Sequence, residues 1–146
     1  MKSPEVCAFC DHQSLEERTI ANGRHILSIV SRPRFRPGHS LVIPRRHIET
    51  LAELNEQEGL EMMQEIGRLS LLLDRGFGSG VMQKYQPRQI ENGVKVNHLH
   101  VHVFPRYSDE DVLFPVPVPN SFEGFHQPTA EEIAHTRASL RPEGDI

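Results

Sequence analysis

The stretch "NHLHVHVFPR", Asn97 to Arg106, places histidines at every second position: His98, His100 and His102. An α-helix turns about 200° between such positions and scatters them around its circumference. A β-strand, with a period of two, lines all three along one face. The intervening Leu99, Val101 and Val103 are aliphatic and mostly β-branched, which suits a strand whose other face is buried. Pro105 is expected to close the run, because it has no N–H to donate to a ladder. The segment reads as a strand with an apolar back and an imidazole front.

Outward from this strand the chain is ordinary in composition. Its 146 residues are 37% hydrophobic and 25% charged, with a net charge of −4 and two cysteines. One domain over 1–146 is expected, long enough to bury roughly 70% of its unfolded surface. The mild acidity argues against a nucleic-acid or membrane-surface partner. No apolar run approaches the roughly 18 residues of a membrane span, and "MKSPEVCAFC" lacks the apolar core of a signal peptide. A cytoplasmic protein without a disulfide framework is the expectation.

Local signals supply the other elements. Between Leu15 and Val30 two strand-like runs flank Asn22–Gly23, a pair that favours a type I′ hairpin turn. "SRPRFRPGH" is a basic loop punctuated by Pro and Gly, and "SLVIP" is a short apolar strand ending at Pro44. "NEQE" at 55–58 makes Asn55 an N-cap with Glu58 as its capping-box partner. The helix it opens has apolar Leu60, Met63, Ile66, Leu69 and Leu73 at three- and four-residue steps, ending near "DRGFGSG". "GVMQKY" is a strand, "QPRQIENG" a polar loop, and "FPVPVPN" an extended, proline-rich stretch. Thr129 and Glu132 mark the start of a short C-terminal helix. Consecutive strands interrupted by one long helix indicate an α+β fold: an antiparallel sheet of about five strands, one long helix and a short C-terminal one. Residues 108–146 form an extended tail that carries the short helix.

Three imidazoles on one strand face can ligate a metal, or they can handle phosphate. In the second case one neutral imidazole attacks phosphorus while a neighbour donates to the phosphoryl oxygens and the leaving group. A merely polar face on an edge strand is the bland alternative, weakened by strict threefold alternation against an apolar back. Upstream, "PGHSLVIPRRH", residues 37–47, sets His39 at the start of an apolar strand and His47 just past its end.

Together, "PGH" and "HLHVHVF" resemble the histidine-triad (HIT) family, over roughly Ile20 to Arg106. The resemblance implies a HIT-like fold and a nucleotidyl hydrolase or transferase acting through a nucleotidyl-histidine intermediate. Carried over residue by residue, it implies that His100 is the nucleophile. His102 would hold the phosphoryl group and the leaving group's bridging atom, and His39 would be the additional active-site histidine. Ser31 lies where the family places Asp or Asn on the ribose hydroxyls, and Gln83 matches a polar residue near the phosphates. Before the triad the family reads Gly-Gln-Ser/Thr-Val, whereas this chain has Gly93, Val94, Lys95 and Val96, a cationic Lys95 in place of a hydroxyl.

"CAFC" contributes Cys7 and Cys10, which by themselves fit a redox pair, two plain thiols or half of a tetrahedral zinc site. The resemblance implies the last. Family members with this N-terminal pair complete the site with the histidine after the second strand and the first triad histidine, here His47 and His98. Zinc would then be structural, tethering residues 1–14 to the triad strand, with no cofactor in the chemistry.

Three functions follow. The leading one is a hydrolase cleaving a nucleoside phosphate anhydride or phosphoramidate, for example a dinucleoside polyphosphate. The others are a metal-dependent hydrolase with His98, His100 and His102 as ligands, and a non-catalytic nucleotide-binding protein on the same fold. The expected partners are a small-molecule nucleotide and, because "IGRLSLLLDRG" is richer in apolar residues than one buried stripe requires, a second copy of the chain in a homodimer.

Overall fold

The computed structural model describes residues 7–76, 80–91, 94–106 and 126–142, with side chains for 7–75, 97–105 and 126–142. β1 (Thr19–Asn22) and β2 (Ile26–Val30) form a hairpin, and β3 (Ser40–Pro44) pairs antiparallel with β2. Helix α1 (Glu56–Gly76) follows, then β4 (Gly80–Glu91), β5 (Val94–Arg106) and helix α2 (Ala130–Leu140). The sheet is antiparallel with order β1-β2-β3-β5-β4. The triad strand β5 is therefore internal, flanked by β3 and β4. No described helix is long and apolar enough to cross a membrane.

The alternation read from β5 divides the molecule into two apolar clusters. Leu99, Val101 and Val103 join Ile26, Val30 and Val42 beneath Met62, Ile66, Leu69 and Leu73 of α1. Each such side chain, fully buried, contributes about 1.5–3 kcal/mol. On the opposite face Leu27, Ile29, Leu41 and Ile43 are covered by Cys7, Phe9 and Leu15 of the N-terminal segment. Both faces of the sheet are thus covered where β5 runs.

The N-terminus of α1 is capped as its sequence indicates. Glu58 N–H donates to Asn55 Oδ1 (2.9 Å), and Asn55 N–H donates to Glu58 Oε1 (3.0 Å). The inward face differs from the one expected. Met62, Ile66, Leu69 and Leu73 are buried, whereas Leu60 and Met63 are 62% and 68% exposed. Glu58 occupies the buried face one turn before Met62, with its carboxylate held by the Arg46 guanidinium at 2.8 and 3.0 Å. A paired carboxylate there shifts the stripe by one position relative to the hydrophobic count.

The hairpin turn also differs. Asn22 is the last residue of β1 and pairs with Leu27, and the Gly23 N–H donates to the Ile26 carbonyl at 2.9 Å, so the tip of the hairpin is Arg24–His25 and not Asn22–Gly23. Gly23 has no positive φ; it is needed because a Cβ would lie 2.6 Å from the Glu61 carboxylate and 2.7 Å from the Ile26 carbonyl. That carboxylate accepts the His25 and Ile26 N–H groups at 2.8 and 2.6 Å, closing the loop onto α1.

Residues 86–91 are not a loop but the second half of β4, paired with β5 across an irregularity between Gln86 and Arg88. Pro87, with no N–H, sits at that irregularity. Strand β5 likewise passes Pro105, which pairs with Val81, because pairing to β3 has already ended at Val103 and only one neighbour remains. The stretch "FPVPVPN" lies outside the described residues. Helix α2 begins at Thr129, whose hydroxyl accepts from Glu132 N–H, and the Glu132 carboxylate is taken by Arg34 at 2.7 and 2.9 Å.

Candidate functional site

The imidazole face of β5 is buried: His98 and His100 are 0% exposed, His102 3% and His39 1%. Gly38, at φ 97°, makes the sharp turn that brings His39 against the triad, a backbone conformation open chiefly to glycine. Leu41 lies opposite His102 in the β3–β5 pairing, so the same register carries His39 to the end of the row.

Buried ring nitrogens favour hydrogen-bond partners, and the partners that His100, His39 and His102 Nδ1 find settle the tautomers. His100 Nδ1 lies 2.6 Å from the His98 carbonyl oxygen. A carbonyl only accepts, so Nδ1 carries the proton and Nε2 keeps a lone pair. Burial holds the His100 imidazolium well below its usual range, to about 4, so the ring is neutral near pH 7. His39 Nδ1 accepts the Phe35 N–H (2.9 Å), which places its proton on Nε2. That proton points at His102 Nδ1, 2.9 Å away, so His102 carries its own on Nε2. Burial, with His100 and the Arg34 guanidinium nearby, lowers His39 to about 3. A neutral imidazole with an Nε2 lone pair thus stands beside one presenting Nε2–H, ring centroids 5.2 Å apart. Such a pair can attack an electrophile and donate a hydrogen bond to what departs.

His98 faces elsewhere. Its Nε2 donates to the Pro44 carbonyl at 2.7 Å, and its Nδ1 lies 3.3 Å from Cys7 Sγ and 3.5 Å from Cys10 Sγ. His47 Nδ1 lies 3.1 Å from Cys10 Sγ. The four ligand atoms of Cys7, Cys10, His47 and His98 fall within 4.8 Å of one another, a cluster able to hold a metal ion. Two thiolates and two imidazoles around zinc have edges of about 3.3–3.8 Å, so the donor set and spacing fit. Burial and the neighbouring Cys7 push the Cys10 thiol up to about 12, a cost that a bound cation reverses. Among the described residues this cluster takes His98 and omits His100 and His102, so the triad does not converge on one ion.

The remaining residues singled out by sequence are placed less directly. Ser31 is buried and its hydroxyl donates to the Pro33 carbonyl at 2.8 Å. Gln83 is opposite Val103 and Lys95 opposite Ile90 in the β4–β5 register; their side chains lie outside the described residues. Arg46 is paired with Glu58, and Arg45 donates to the Gly23 carbonyl and Asn22. Arg45 and Arg137 help line an open groove of about 1150 Å³ by β1 that includes no triad histidine. Sequence reasoning passed over Phe9, whose ring stacks edge-on against His98 and His100, and Arg34, which ties the His39 loop to α2. Neither carries a spacing signal of its own.

The HIT domain family profile matches residues 13–109. The chain is 28% identical over 112 residues to the bis(5'-adenosyl)-triphosphatase of Dictyostelium discoideum, covering 73% of this chain and 71% of that protein. It is 28% identical over 109 residues to the AP-4-A phosphorylase of Mycobacterium tuberculosis, covering 73% and 53%. A zinc-bound histidine triad family protein from Mycobacterium smegmatis shares the fold at a TM-score of 0.67 and 23% identity, over 94% of this chain and 95% of that one.

The neutral histidines make stability acid-sensitive. His39 and His100 titrate near 3 and 4 when folded but near 6.5 when unfolded, so between these values the unfolded chain binds more protons. Their contribution is complete above about pH 6.5 and lost as pH falls toward 3. Urea midpoints should decline steadily from pH 7 to pH 4. His39→Gln, which cannot titrate, should flatten that slope, and an unchanged slope would contradict the assignment.

Proposed function

We propose that this chain, which belongs to the HIT domain family, is a nucleotide hydrolase cleaving a nucleoside phosphate anhydride or phosphoramidate, such as a dinucleoside polyphosphate. The observation that carries the proposal is the tautomer pair, a lone pair on His100 Nε2 beside a proton on His102 Nε2. The names of the triphosphatase and phosphorylase relatives support the substrate class.

In the first half-reaction His100 Nε2 attacks the phosphorus attached to the nucleoside. A P–N bond forms, the bridging P–O or P–N bond breaks, and the departing group leaves with that bond's electron pair, hydrogen-bonded by the His102 Nε2–H and, where it is an amine, protonated by solvent. In the second, water attacks phosphorus, the P–N bond to His100 breaks, and the water's proton passes to the released phosphate, leaving His100 neutral with its Nδ1–H. His39 does not touch the reacting atoms; it holds His102 in the required tautomer. Ser31, its proton engaged by Pro33, is left as an acceptor for a ribose hydroxyl. Lys95 is assigned to the phosphates, whereas Gln83 stands in register with Val103 of the apolar face and is not.

The Cys7, Cys10, His47 and His98 cluster is assigned to structural zinc, which would cross-link the N-terminal segment to the triad strand. Leu60, Met63 and Leu71 are 62%, 68% and 53% exposed and share one face of α1 with Gly67. This apolar stripe is assigned to a homodimer interface.

His100→Asn should lower the single-turnover rate by several orders of magnitude while retaining nucleotide binding, and His102→Asn should be less severe because no covalent bond is lost. Covalent nucleotide accumulating on His100→Asn would refute the mechanism. Protein purified without added metal should carry about one zinc per chain, and removing it should lower the melting temperature; metal-free protein of full thermal stability would refute the zinc assignment. By light scattering at micromolar concentration the chain should be a dimer that Met63→Glu converts to monomer; a monomeric parent would refute the pairing.

A further inference from the structure

Phe9 lies inside the cysteine pair, in a turn closed by the Cys10 N–H on the Cys7 carbonyl at 3.1 Å. Its ring is 0% exposed. It meets His100 with centroids 5.4 Å apart at 77°, and His98 with centroids 6.0 Å apart at 79°. A single phenyl ring therefore touches both a residue of the metal cluster and the nucleophile assigned above.

Other contacts also bear on the orientation of the His100 ring. Its Nδ1–H is held by the His98 carbonyl at 2.6 Å, which fixes one atom of the ring. The His102 ring stands at 65° on one side, centroids 5.2 Å apart, and the Phe9 ring stands on another. In-line attack tolerates little misplacement of the attacking nitrogen. Phe9 in turn depends on the cysteine turn. Among the described residues, 7–14 pair with no strand, and this segment meets the sheet through the thiols at His47 and His98 and through the burial of Cys7 and Phe9.

We propose that Phe9 is a positioning residue that transmits the order of the metal-bound Cys7–Cys10 turn to the His100 ring, so that metal binding and nucleotide binding are energetically coupled. The inference deepens the proposed function and rests on His100 being the nucleophile. The coupling is reciprocal: a nucleotide that needs His100 in place also favours the ordered turn and hence the metal. Phe9 thereby gives a site that takes no part in the chemistry a hold on its rate. The step itself is unchanged, because Phe9 neither donates nor accepts a proton.

The test uses the full-length, zinc-loaded protein and Phe9→Leu, which keeps apolar volume but removes the flat ring, with Phe9→Ala as the larger truncation. With diadenosine triphosphate as probe, Phe9→Leu should lower kcat by about tenfold while KM stays within about twofold, since Phe9 orients the attacking ring and contacts no substrate. Phe9→Ala should lose more. A second measurement needs no turnover: zinc affinity, by competition with a chromophoric chelator, with and without saturating adenosine monophosphate. The nucleotide should tighten zinc by about threefold or more in the parent and leave it unchanged in Phe9→Leu, consistent with ordinary coupling energies. Parental kcat in Phe9→Leu would overturn the proposal, as would a nucleotide effect that persists in this variant, which would place the coupling in the strand from His98 to His100. An absence of nucleotide effect in the parent would also overturn it. Failure of the hydrolase reading looks different: the parent itself would form no covalent nucleotide on His100, whatever residue 9 is.

Discussion

Four imidazoles are packed out of water on one face of a sheet, and a buried polar ring without partners for its nitrogens costs more than its burial returns. The neighbourhood of β5 answers to that constraint. His100 gives its proton to the His98 carbonyl, His39 accepts a backbone N–H from Phe35 and donates to His102, and His98 gives its proton to Pro44. Each bond is ordinary in strength. Their combined effect is to leave one nitrogen at each ring in a defined state: a lone pair on His100, a proton on His102, and a lone pair on His98 directed at two thiols. Which of the three alternate rings is suited to attack, to donate or to ligate a metal follows from which nitrogens the backbone takes.

The same burial keeps His39 and His100 uncharged. His39 and His100 are held far below the usual histidine range, so both are neutral in any solution near neutral pH. A neutral ring retains its nucleophilic lone pair, and neither of these two rings supplies a cation. The Arg34 guanidinium lies close enough to act on His39, and it is partly neutralised by its bidentate contact with Glu132. That contact also anchors α2 to the loop carrying His39, so the short helix supports the site without contributing a reacting group.

Where expectation and structure part, the cause is a longer-range contact. Leu60 and Met63 fit the helical period and yet face outward, because Glu58, held by Arg46, rotates the buried stripe of α1 to Met62 and Ile66. Gly23 fits a tight hairpin turn, but it stands just before the tip, where a Cβ would meet the Ile26 carbonyl and the Glu61 carboxylate that α1 holds against the loop. Residues 86–91 look like a polar loop, and they are a strand because β5 extends back far enough to pair with them. Local propensity was outweighed in each case by a partner distant in sequence.

The sequence by itself determined the identity of the triad strand, its two-sided character, the caps of α1 and α2 and the family, because all of these depend on spacing within a few residues or on short motifs. It also named Cys7, Cys10, His47 and His98 as a group, through the resemblance. Only the tertiary structure decided what each nitrogen does. Whether a histidine is a nucleophile, a donor or a ligand depends on the atom opposite its other nitrogen, and those atoms are supplied by the His98 carbonyl, His39 and the Pro44 carbonyl, on β5, before β3 and at its end. The place of Phe9 is of the same kind. Nothing in "CAFC" says that the residue between two cysteines will rest on His100, because that contact exists only once both chain segments are folded onto one face of the sheet.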